Sequence, residues 1–187
     1  MRVLIACEFS GRVRDAFLAR GHDAWSCDLL PTDSPGPHIQ DDVLKHLSEQ
    51  WDMIIAFPPC TYLCASGHNA RGNEPGRAEG RAAALQFVKT LWSAPTRRIC
   101  IENPSGLQSI WLRPSQHIEP WMFGDPYAKR TYLWLRDLPA LFATRIMAER
   151  REYVRSLPQT KDRPKKRSLT FCGVAEAMAE QWGEWSK

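Results

Sequence analysis

The sequence lacks the long apolar run that a membrane-spanning helix requires, so nothing in its 187 residues predicts an integral membrane protein. It also lacks paired cysteines. Its six cysteines are scattered, and none belongs to a C-x-x-C pair or a Cys/His set of the kind that holds structural zinc. Scattered cysteines are typical of reduced thiols in a cytoplasmic protein. We therefore expect a cytoplasmic protein without a metal and without membrane contact.

The length of the chain allows one well-buried core and is too short for two full domains. Apolar residues make up 43% of the sequence and charged residues 25%, which is ordinary for a globular protein. We therefore predict a single domain over residues 1–187. The sequence does not indicate an oligomeric state.

Positive charge is concentrated near the C-terminal end of the chain. Residues 145–167 contain nine Lys or Arg against three acidic residues, a net charge of +6, whereas the whole chain carries +4. A segment of this kind suits contact with phosphate groups, but a solvated surface helix and loop would have the same composition. Both interpretations stay open from the sequence.

Short apolar runs alternate with helical patterns along the chain. Strands are predicted over residues 2–6, 23–27, 51–57, 98–101 and 131–135. Helices are predicted through Val13, Phe17 and Leu18 with an end at Gly21, and over residues 82–92 and 175–182. A glycine-punctuated loop is predicted over residues 58–80. Alternating strands and helices favour an α/β fold with a mostly parallel sheet that carries helices on both faces.

Four of these strands end in polar or reactive residues. The first is followed by Cys7 and Glu8, the second by Asp28, the third by Pro58-Pro59-Cys60, and the fourth by Glu102. Ligands of open parallel sheets bind at the carboxyl ends of the strands, so these side chains should face one crevice. A thiol and a carboxylate at one edge indicate a nucleophile with a proton-handling partner.

These residues, in this order, resemble the S-adenosylmethionine-dependent cytosine-5 methyltransferases. The matching motifs are Phe9-x-Gly11, Asp28, Asp42-Val43, Pro59-Cys60, Glu102-Asn103-Pro104 and the closing residues 168–179. The resemblance covers residues 1–136 and 168–183, and Pro-Cys with a downstream Glu-Asn is its specific part. It implies a Rossmann-like class I methyltransferase fold and S-adenosyl-L-methionine as cofactor.

The same resemblance implies roles for three residues in catalysis. Cys60 would add to carbon 6 of a cytosine, which turns the ring into an enamine whose carbon 5 can attack a methyl group. Glu102 would hydrogen-bond the ring nitrogen and the exocyclic amine. Arg130 would contact the base oxygen. The base that removes the carbon-5 proton is not identified.

The resemblance also implies which residues contact ligands. The cofactor would be held by six residues, with Asp28 on the ribose and Asp42 (or Asp41) near the adenine amine: Phe9, Ser10, Gly11, Asp28, Asp42 and Pro58. The loop over residues 61–80 would close over the base. Three arginines on or beside that loop are candidates for contact with a substrate phosphate: Arg71, Arg77 and Arg81.

The sequence departs from the family pattern at three places. The second glycine of the first motif is missing, and Ala128 stands where the middle arginine of the Gln-x-Arg-x-Arg motif belongs. The 29 residues from 139 to 167, which include the basic segment, replace the long target-recognition domain of the DNA-specific members. Too little chain remains to read a major groove, so the sequence predicts a small phage-like form.

Two substrates fit such a form. One is a cytosine nucleotide, which is modestly favoured because its base need not be flipped out of a duplex; the other is DNA methylated with little sequence specificity. Methylation of an exocyclic amine is disfavoured, because Phe57 occupies the place of the Asp or Asn that would accept the amine's hydrogens. A non-catalytic nucleotide- or DNA-binding relative is the alternative from a different class.

Overall fold

The computed structural model describes residues 1–65, 74–107 and 110–184. The first half of the chain supplies four strands: β1 (Arg2–Ala6), β2 (Asp23–Asp28), β3 (His38–Gln40) and β4 (Met53–Ala56). The second half supplies β5 (Arg98–Pro104), β6 (Gln116–Ile118), β7 (Tyr127–Ala128), β8 (Thr131–Arg136) and β9 (Arg151–Glu152). The helices are α1 (Arg12–Leu18), α2 (Arg77–Trp92), α3 (Tyr153–Ser156), α4 (Arg163–Ser168) and α5 (Cys172–Gly183).

Within the described residues, seven strands form one sheet in the order β3-β2-β1-β4-β5-β8-β6. The first five are parallel, whereas β8 runs antiparallel to β5 and β6 runs antiparallel to β8. A separate parallel pair joins β9, which lies within the basic segment, to β7. The predicted α/β class with a mostly parallel sheet is confirmed.

Alternate side chains of each central strand enter two different cores. Val3 and Ile5 of β1 pack on the face covered by α1 and α5, where Phe17 and Trp182 are fully buried. Leu4 and Ala6 face the opposite side, where α2 contributes Val88 and Leu91. This alternation explains why the strands are apolar throughout, since a parallel sheet covered on both faces leaves neither side for polar residues.

Several predicted boundaries were wrong. The loop predicted to run to residue 80 ends earlier, because α2 begins at Arg77 after Gly76, which caps the helix in the left-handed conformation. The strand predicted over residues 51–57 is limited to Met53–Ala56, and the closing helix begins at Cys172 instead of residue 175. Short strands β3, β6, β7 and β9 were missed because two or three residues show no periodicity.

None of the helices among the described residues combines the length and the apolar character needed to cross a bilayer.

Candidate active site

The parallel strands end together at one edge of the sheet. Ala6 of β1 pairs with Cys27 of β2 and with Ala56 of β4, and Ala56 pairs with Ile101 of β5. The residues that follow them therefore lie in one row along that edge: Cys7, Asp28, Phe57 and Glu102. This is the edge at which open α/β sheets bind ligands.

Two hydrogen bonds join the loop that carries Cys60 to the end of β5. The Asn103 side chain is fully buried, and its Nδ2 donates to the carbonyl oxygen of Pro58 at 2.9 Å. The Ala65 amide donates to the carbonyl oxygen of Ser105 at 2.7 Å. Cys60 lies between these two points, so the structure brings it to the same corner as Glu102.

A glycine allows this close approach. Gly106 has a φ of 139°, and a Cβ placed on it would lie 2.1 Å from the carbonyl oxygen of Leu63. Any other residue would push the turn after Cys60 away from β5. The Ser105-Gly106 sequence after the Glu-Asn-Pro motif is therefore part of what positions the thiol.

The surroundings of Cys60 favour its protonated thiol. Its hydrogen bond with Cys64, together with burial and the nearby Glu102 carboxyl, raises the pKa of Cys60 well above its ordinary value. Only the guanidinium of Arg167, among the described groups that act on it most strongly, lowers that pKa. The thiol therefore needs additional positive charge, or a reacting partner, before it becomes a strong nucleophile.

Glu102 is also biased toward its neutral form. Burial raises the pKa of the Glu102 carboxyl, while the Lys129 ammonium group and a hydrogen bond from Thr131 oppose that shift. The Thr131 hydroxyl donates to Glu102 Oε1 across the β5–β8 pair. A protonated carboxyl held in this way can donate a hydrogen bond to a ring nitrogen.

Lys129 was passed over in the sequence and lies beside both residues. Its Nζ donates to the carbonyl oxygens of Arg167 at 2.7 Å and Leu169 at 3.4 Å. Its charge interacts with both Glu102 and Cys60, and burial lowers its pKa. The sequence offered one signal for Lys129. It directly follows Ala128, which stands where the family pattern has an arginine, so a cation one position later could have been considered.

The candidate arginines are dispersed. Arg130 has a side chain that is 59% exposed and forms an ion pair with Glu119 at 3.4 Å. Arg77 is buried at the start of α2, where it donates to the Thr61 carbonyl oxygen at 2.8 Å and lies over the Tyr62 ring. It therefore docks the turn after Cys60 onto α2. Arg81 lies one helical turn further along, and Arg71 lies outside the described residues, as do residues 66–73 of the predicted lid loop.

The cofactor candidates of the first motif line a pocket. Residues 7–10, Phe57 and residues 168–170 form its walls. Gly11 adopts a φ of 76°, and a Cβ there would lie 2.4 Å from the buried Arg14 guanidinium, so only glycine fits this strand-to-helix turn. Glu8 accepts hydrogen bonds from the Ser10 hydroxyl at 2.7 Å and the Val13 amide at 3.2 Å through Oε1. Its buried Oε2 has no partner among the described residues.

The two ribose and adenine candidates lie near one another. Asp28 accepts a hydrogen bond from the Leu30 amide at 2.9 Å, and Asp42 accepts one from the Leu44 amide at 3.0 Å. Burial raises the pKa of Cys7 beyond its ordinary range, and the Asp28 and Asp42 carboxylates raise it further. Both carboxylates therefore act on the end of β1. The neighbouring Asp41 is instead engaged by Lys45 at 2.7 Å and His46 at 3.3 Å.

The basic segment folds back over this edge of the sheet. Tyr153 of α3 packs with Tyr127 and Phe171, with ring centroids 5.2 and 4.8 Å away. Several of its cations are engaged within the protein: Arg163 donates to the Val154 carbonyl oxygen at 2.7 Å, and Lys165 pairs with Asp33 at 2.7 Å. The segment therefore ends at the pocket and the Cys60 corner, so it is not a detached basic tail.

Replacing Glu8 with glutamine should stabilise the ligand-free protein at pH 8. Burial raises the pKa of Glu8 above its ordinary value of about 4.5. The contribution of Glu8 to the stability of the folded state is therefore greatest below about pH 4.5, and it is lost as the pH rises through the higher pKa of the folded state. Glutamine keeps the acceptor oxygen and removes a buried charge that Ser10, Val13 and Arg14 compensate only in part, which we expect to add about 1–2 kcal/mol. Urea unfolding at pH 8 and pH 4 measures the difference.

The gain from Glu8→Gln should vanish near pH 4, where Glu8 itself is neutral. Glu49→Gln is the matched control, because contact with His46 lowers the pKa of Glu49 and its ionised form already stabilises the fold. That variant should show no gain at pH 8. A Glu8→Gln protein that is no more stable than the parent at pH 8 would contradict the unpaired burial of this carboxyl.

Known proteins include a solved structure that is similar to this chain. No family model and no curated protein matches the sequence. A solved E. coli structure described as a "putative DNA modification methyltransferase" encoded within a prophage is similar to this chain with 12% sequence identity and a TM-score of 0.49. The match covers 84% of this chain and 55% of the other, so this chain spans about half the length of that protein.

Proposed function

We propose that the protein transfers a methyl group from S-adenosyl-L-methionine to carbon 5 of a cytosine, with Cys60 as a covalent nucleophile. The observation that carries the proposal is that the loop bearing Cys60 and the end of β5 bearing Glu102 are joined at one corner. The Asn103–Pro58 and Ala65–Ser105 hydrogen bonds hold that corner at the ligand-binding edge of the sheet. A thiol fixed beside a carboxyl that favours its neutral form suits addition to an electron-poor ring.

The proposed reaction begins with the Cys60 thiolate, which forms a bond from its Sγ to carbon 6 of the base. The ring electrons then attack the methyl group from carbon 5. Loss of the carbon-5 proton to a base restores the ring double bond and breaks the bond from carbon 6 to Sγ, which frees Cys60. Bound S-adenosyl-L-methionine would supply the electrophilic methyl group, and the bond from its sulfur to that methyl carbon would break as S-adenosyl-L-homocysteine leaves.

Glu102 would act on the ring nitrogen next to the reacting carbons. Because burial favours its neutral form, it can donate a hydrogen bond to that nitrogen and stabilise the negative charge that develops there when sulfur adds. The Thr131 hydroxyl fixes the orientation of the carboxyl. Arg130 remains a prediction as a contact to the base oxygen, although its side chain is directed to Glu119 here.

The residues around the pocket fit the cofactor. S-adenosyl-L-methionine carries two positive charges, and the unpaired Oε2 of Glu8 offers an acceptor for a cationic group at the pocket. Phe9 provides an aromatic wall, with Ser10, Gly11 and Pro58 beside it. Asp28 and Asp42 would hold the ribose and adenine, next to the exposed apolar side chains of Leu29, Leu30 and Leu44.

We favour a cytosine nucleotide over duplex DNA as substrate. The Arg167 side chain, near Cys60, would hold a phosphate close to the base. Arg81 is a further candidate, whereas Arg77 is buried and engaged with the Thr61 carbonyl oxygen. Residues 139–167 form short elements that pack against the catalytic unit, which leaves little surface for gripping a duplex. Methylation of DNA with little sequence specificity is the second candidate, favoured by the exposed lysines and arginines of the same segment.

Labelled S-adenosyl-L-methionine offered with dCMP, dCTP, single-stranded DNA and duplex DNA tests the proposal. We expect label at carbon 5 of a cytosine nucleotide, and nucleoside digestion with mass spectrometry identifies the position. Label in the DNA alone would select the second candidate. Tight, salt-sensitive binding to DNA with no transfer to any of the four substrates would overturn methyl transfer and indicate a binding protein.

A further inference from the structure

Residues 157–170 form a strap at the candidate cofactor pocket. Both ends of the strap are fixed by one cluster of rings: Tyr153 packs on Phe171 with ring centroids 4.8 Å apart, and Tyr127 packs on both at 5.2 and 5.6 Å. Between these anchors all fourteen residues of the strap are at least partly exposed. Residues 168–170, at its end, form one wall of the pocket. The strap is therefore a surface loop whose ends are held together beside the pocket.

Lys165, in the second half of the strap, fastens it to the wall of the pocket that Phe9 belongs to. Its Nζ lies 5.0 Å from the centroid of the Phe9 ring and 2.7 Å from Asp33 Oδ1. The Asp33 amide donates to the Phe9 carbonyl oxygen at 2.8 Å, which holds the backbone of these two residues side by side. Lys165 thus bonds the strap to a residue that is itself a candidate contact of the cofactor.

The closed strap leaves little room for a ligand. The pocket measures about 300 Å³ including its mouth, which is the lower limit for sites that hold molecules of drug size. The Lys165 ammonium group also places a positive charge at the Phe9 ring, where it repels a ligand that is positively charged itself. Entry of S-adenosyl-L-methionine would therefore require Lys165 to leave Phe9.

The strap can move at low cost. The ion pair of Lys165 is half exposed on both sides (50% and 45%), and α4, which carries this lysine, has no buried residue. Exposed ion pairs contribute little to stability, and segments with few buried contacts open more easily than the core. Hydrogen bonds from Tyr153, Lys129 and Arg12 hold the main chain of residues 166–170, so the part that lifts ends at Lys165.

We propose that Lys165 is a latch that holds the strap closed over the pocket, and that the cofactor binds when this latch is released from Phe9 and Asp33. The step makes and breaks no covalent bond. It exchanges one ion pair and one cation–π contact for contacts with the ligand. The identity of the ligand rests on the proposed function, whereas closure of the strap can be measured without any ligand.

Hydrogen exchange of the ligand-free protein, read by mass spectrometry on peptides that cover residues 157–170, measures how often the strap opens. Lys165→Gln removes the charge at similar length, and Asp33→Asn removes its partner. We expect Lys165→Gln to exchange the strap amides about three- to tenfold faster than the parent, the scale of one exposed ion pair with one cation–π contact. Asp33→Asn should have the same effect or a smaller one.

Lys161→Gln is the matched control for hydrogen exchange, since it removes an exposed lysine of the same strap. It should exchange as the parent does. The double variant of Lys165→Gln and Asp33→Asn should exchange no faster than Lys165→Gln alone, because both changes remove the same contact. Unchanged exchange in Lys165→Gln, or equal acceleration in Lys161→Gln, would overturn the latch.

Titration calorimetry with S-adenosyl-L-methionine tests whether the latch opposes binding. The Kd of Lys165→Gln should be about three- to tenfold lower than that of the parent, because less binding energy is used to open the strap. Lys161→Gln, which changes the net charge by the same amount, should bind as the parent does. A Kd of Lys165→Gln that is unchanged or higher would show that Lys165 does not exclude the ligand, and would overturn the proposal.

The two measurements separate the latch from the proposed function. If neither the parent nor Lys165→Gln binds S-adenosyl-L-methionine, that cofactor is removed from the proposed function, and hydrogen exchange alone decides whether Lys165 closes the strap. Tighter binding by Lys165→Gln with no methyl transfer by the parent would support the latch and remove the reaction. Methyl transfer by the parent with unchanged exchange and binding in the variant would do the reverse.

Discussion

Cys60→Ala should lower methyl transfer to cytosine by at least about a thousandfold, because the reaction has no covalent route without the sulfur. Direct attack by carbon 5 of an unactivated cytosine on the methyl group would remain, and that carbon is a poor nucleophile. Incorporation of labelled methyl groups with saturating cofactor measures the loss. Because Cys60 is only partly buried, the free energy of unfolding should change by about 1 kcal/mol or less, so lost folding would not account for the effect.

Two other cysteines provide controls for Cys60→Ala. Cys172→Ala removes an exposed thiol at the start of α5 and should leave the rate unchanged. Cys64→Ala removes the partner whose hydrogen bond raises the pKa of Cys60, so this variant should transfer as fast as the parent or faster. Transfer that survives in Cys60→Ala, or that is lost equally in Cys64→Ala, would rule out Cys60 as the specific nucleophile.

The covalent bond itself can be observed. A cytosine nucleotide with fluorine at carbon 5 cannot release a proton from that position, so the reaction should stop with carbon 6 attached to Cys60. Intact-protein mass spectrometry should then show the mass of the methylated nucleotide on the parent protein and no such adduct on Cys60→Ala.

The strands that carry the site could be predicted because their apolar residues and their polar ends appear in the sequence itself. Cys60 follows β4 after two prolines, and Glu102 follows the apolar start of β5. Parallel strands bring such ends together without any knowledge of the loops. The sheet class and the edge that bears the polar residues followed from these local patterns.

The remainder of the site depends on contacts between distant parts of the chain. Lys129 is held by residues 167 and 169, about forty positions later, and no local pattern predicts that meeting. The Asn103–Pro58 bond likewise joins residues 45 positions apart. Arg130 matched a motif by position, yet its side chain pairs with Glu119. The sequence did not reveal that β8, which follows Arg130, runs antiparallel to β5.

Glu102→Gln should lower the maximal rate of methyl transfer by about a hundredfold, the usual scale for one acid–base contribution. Glutamine can still accept a hydrogen bond from the Thr131 hydroxyl and fill the same space, so the geometry of the corner should survive. It cannot share a proton with the ring nitrogen as charge develops there. The rate at saturating nucleotide and cofactor measures the loss, and Glu180→Gln, an exposed carboxylate on α5, is the matched control.

The pH dependence separates this role from a merely structural one. The proposed transfer needs ionised Cys60 and protonated Glu102. Burial raises the pKa of Glu102, but the Cys60 thiol loses its proton at a higher pH still. The parent rate should therefore rise with pH up to the Glu102 pKa and then level off, because each further loss of protonated carboxyl is offset by a gain of thiolate. Glutamine carries no proton to lose, so the rate of Glu102→Gln should continue to rise where the parent rate is level. A variant that levels off at the same pH as the parent, or that transfers as fast as the parent, would show that Glu102 holds no proton for the reaction, and the corner would then act through Cys60 and its cations alone.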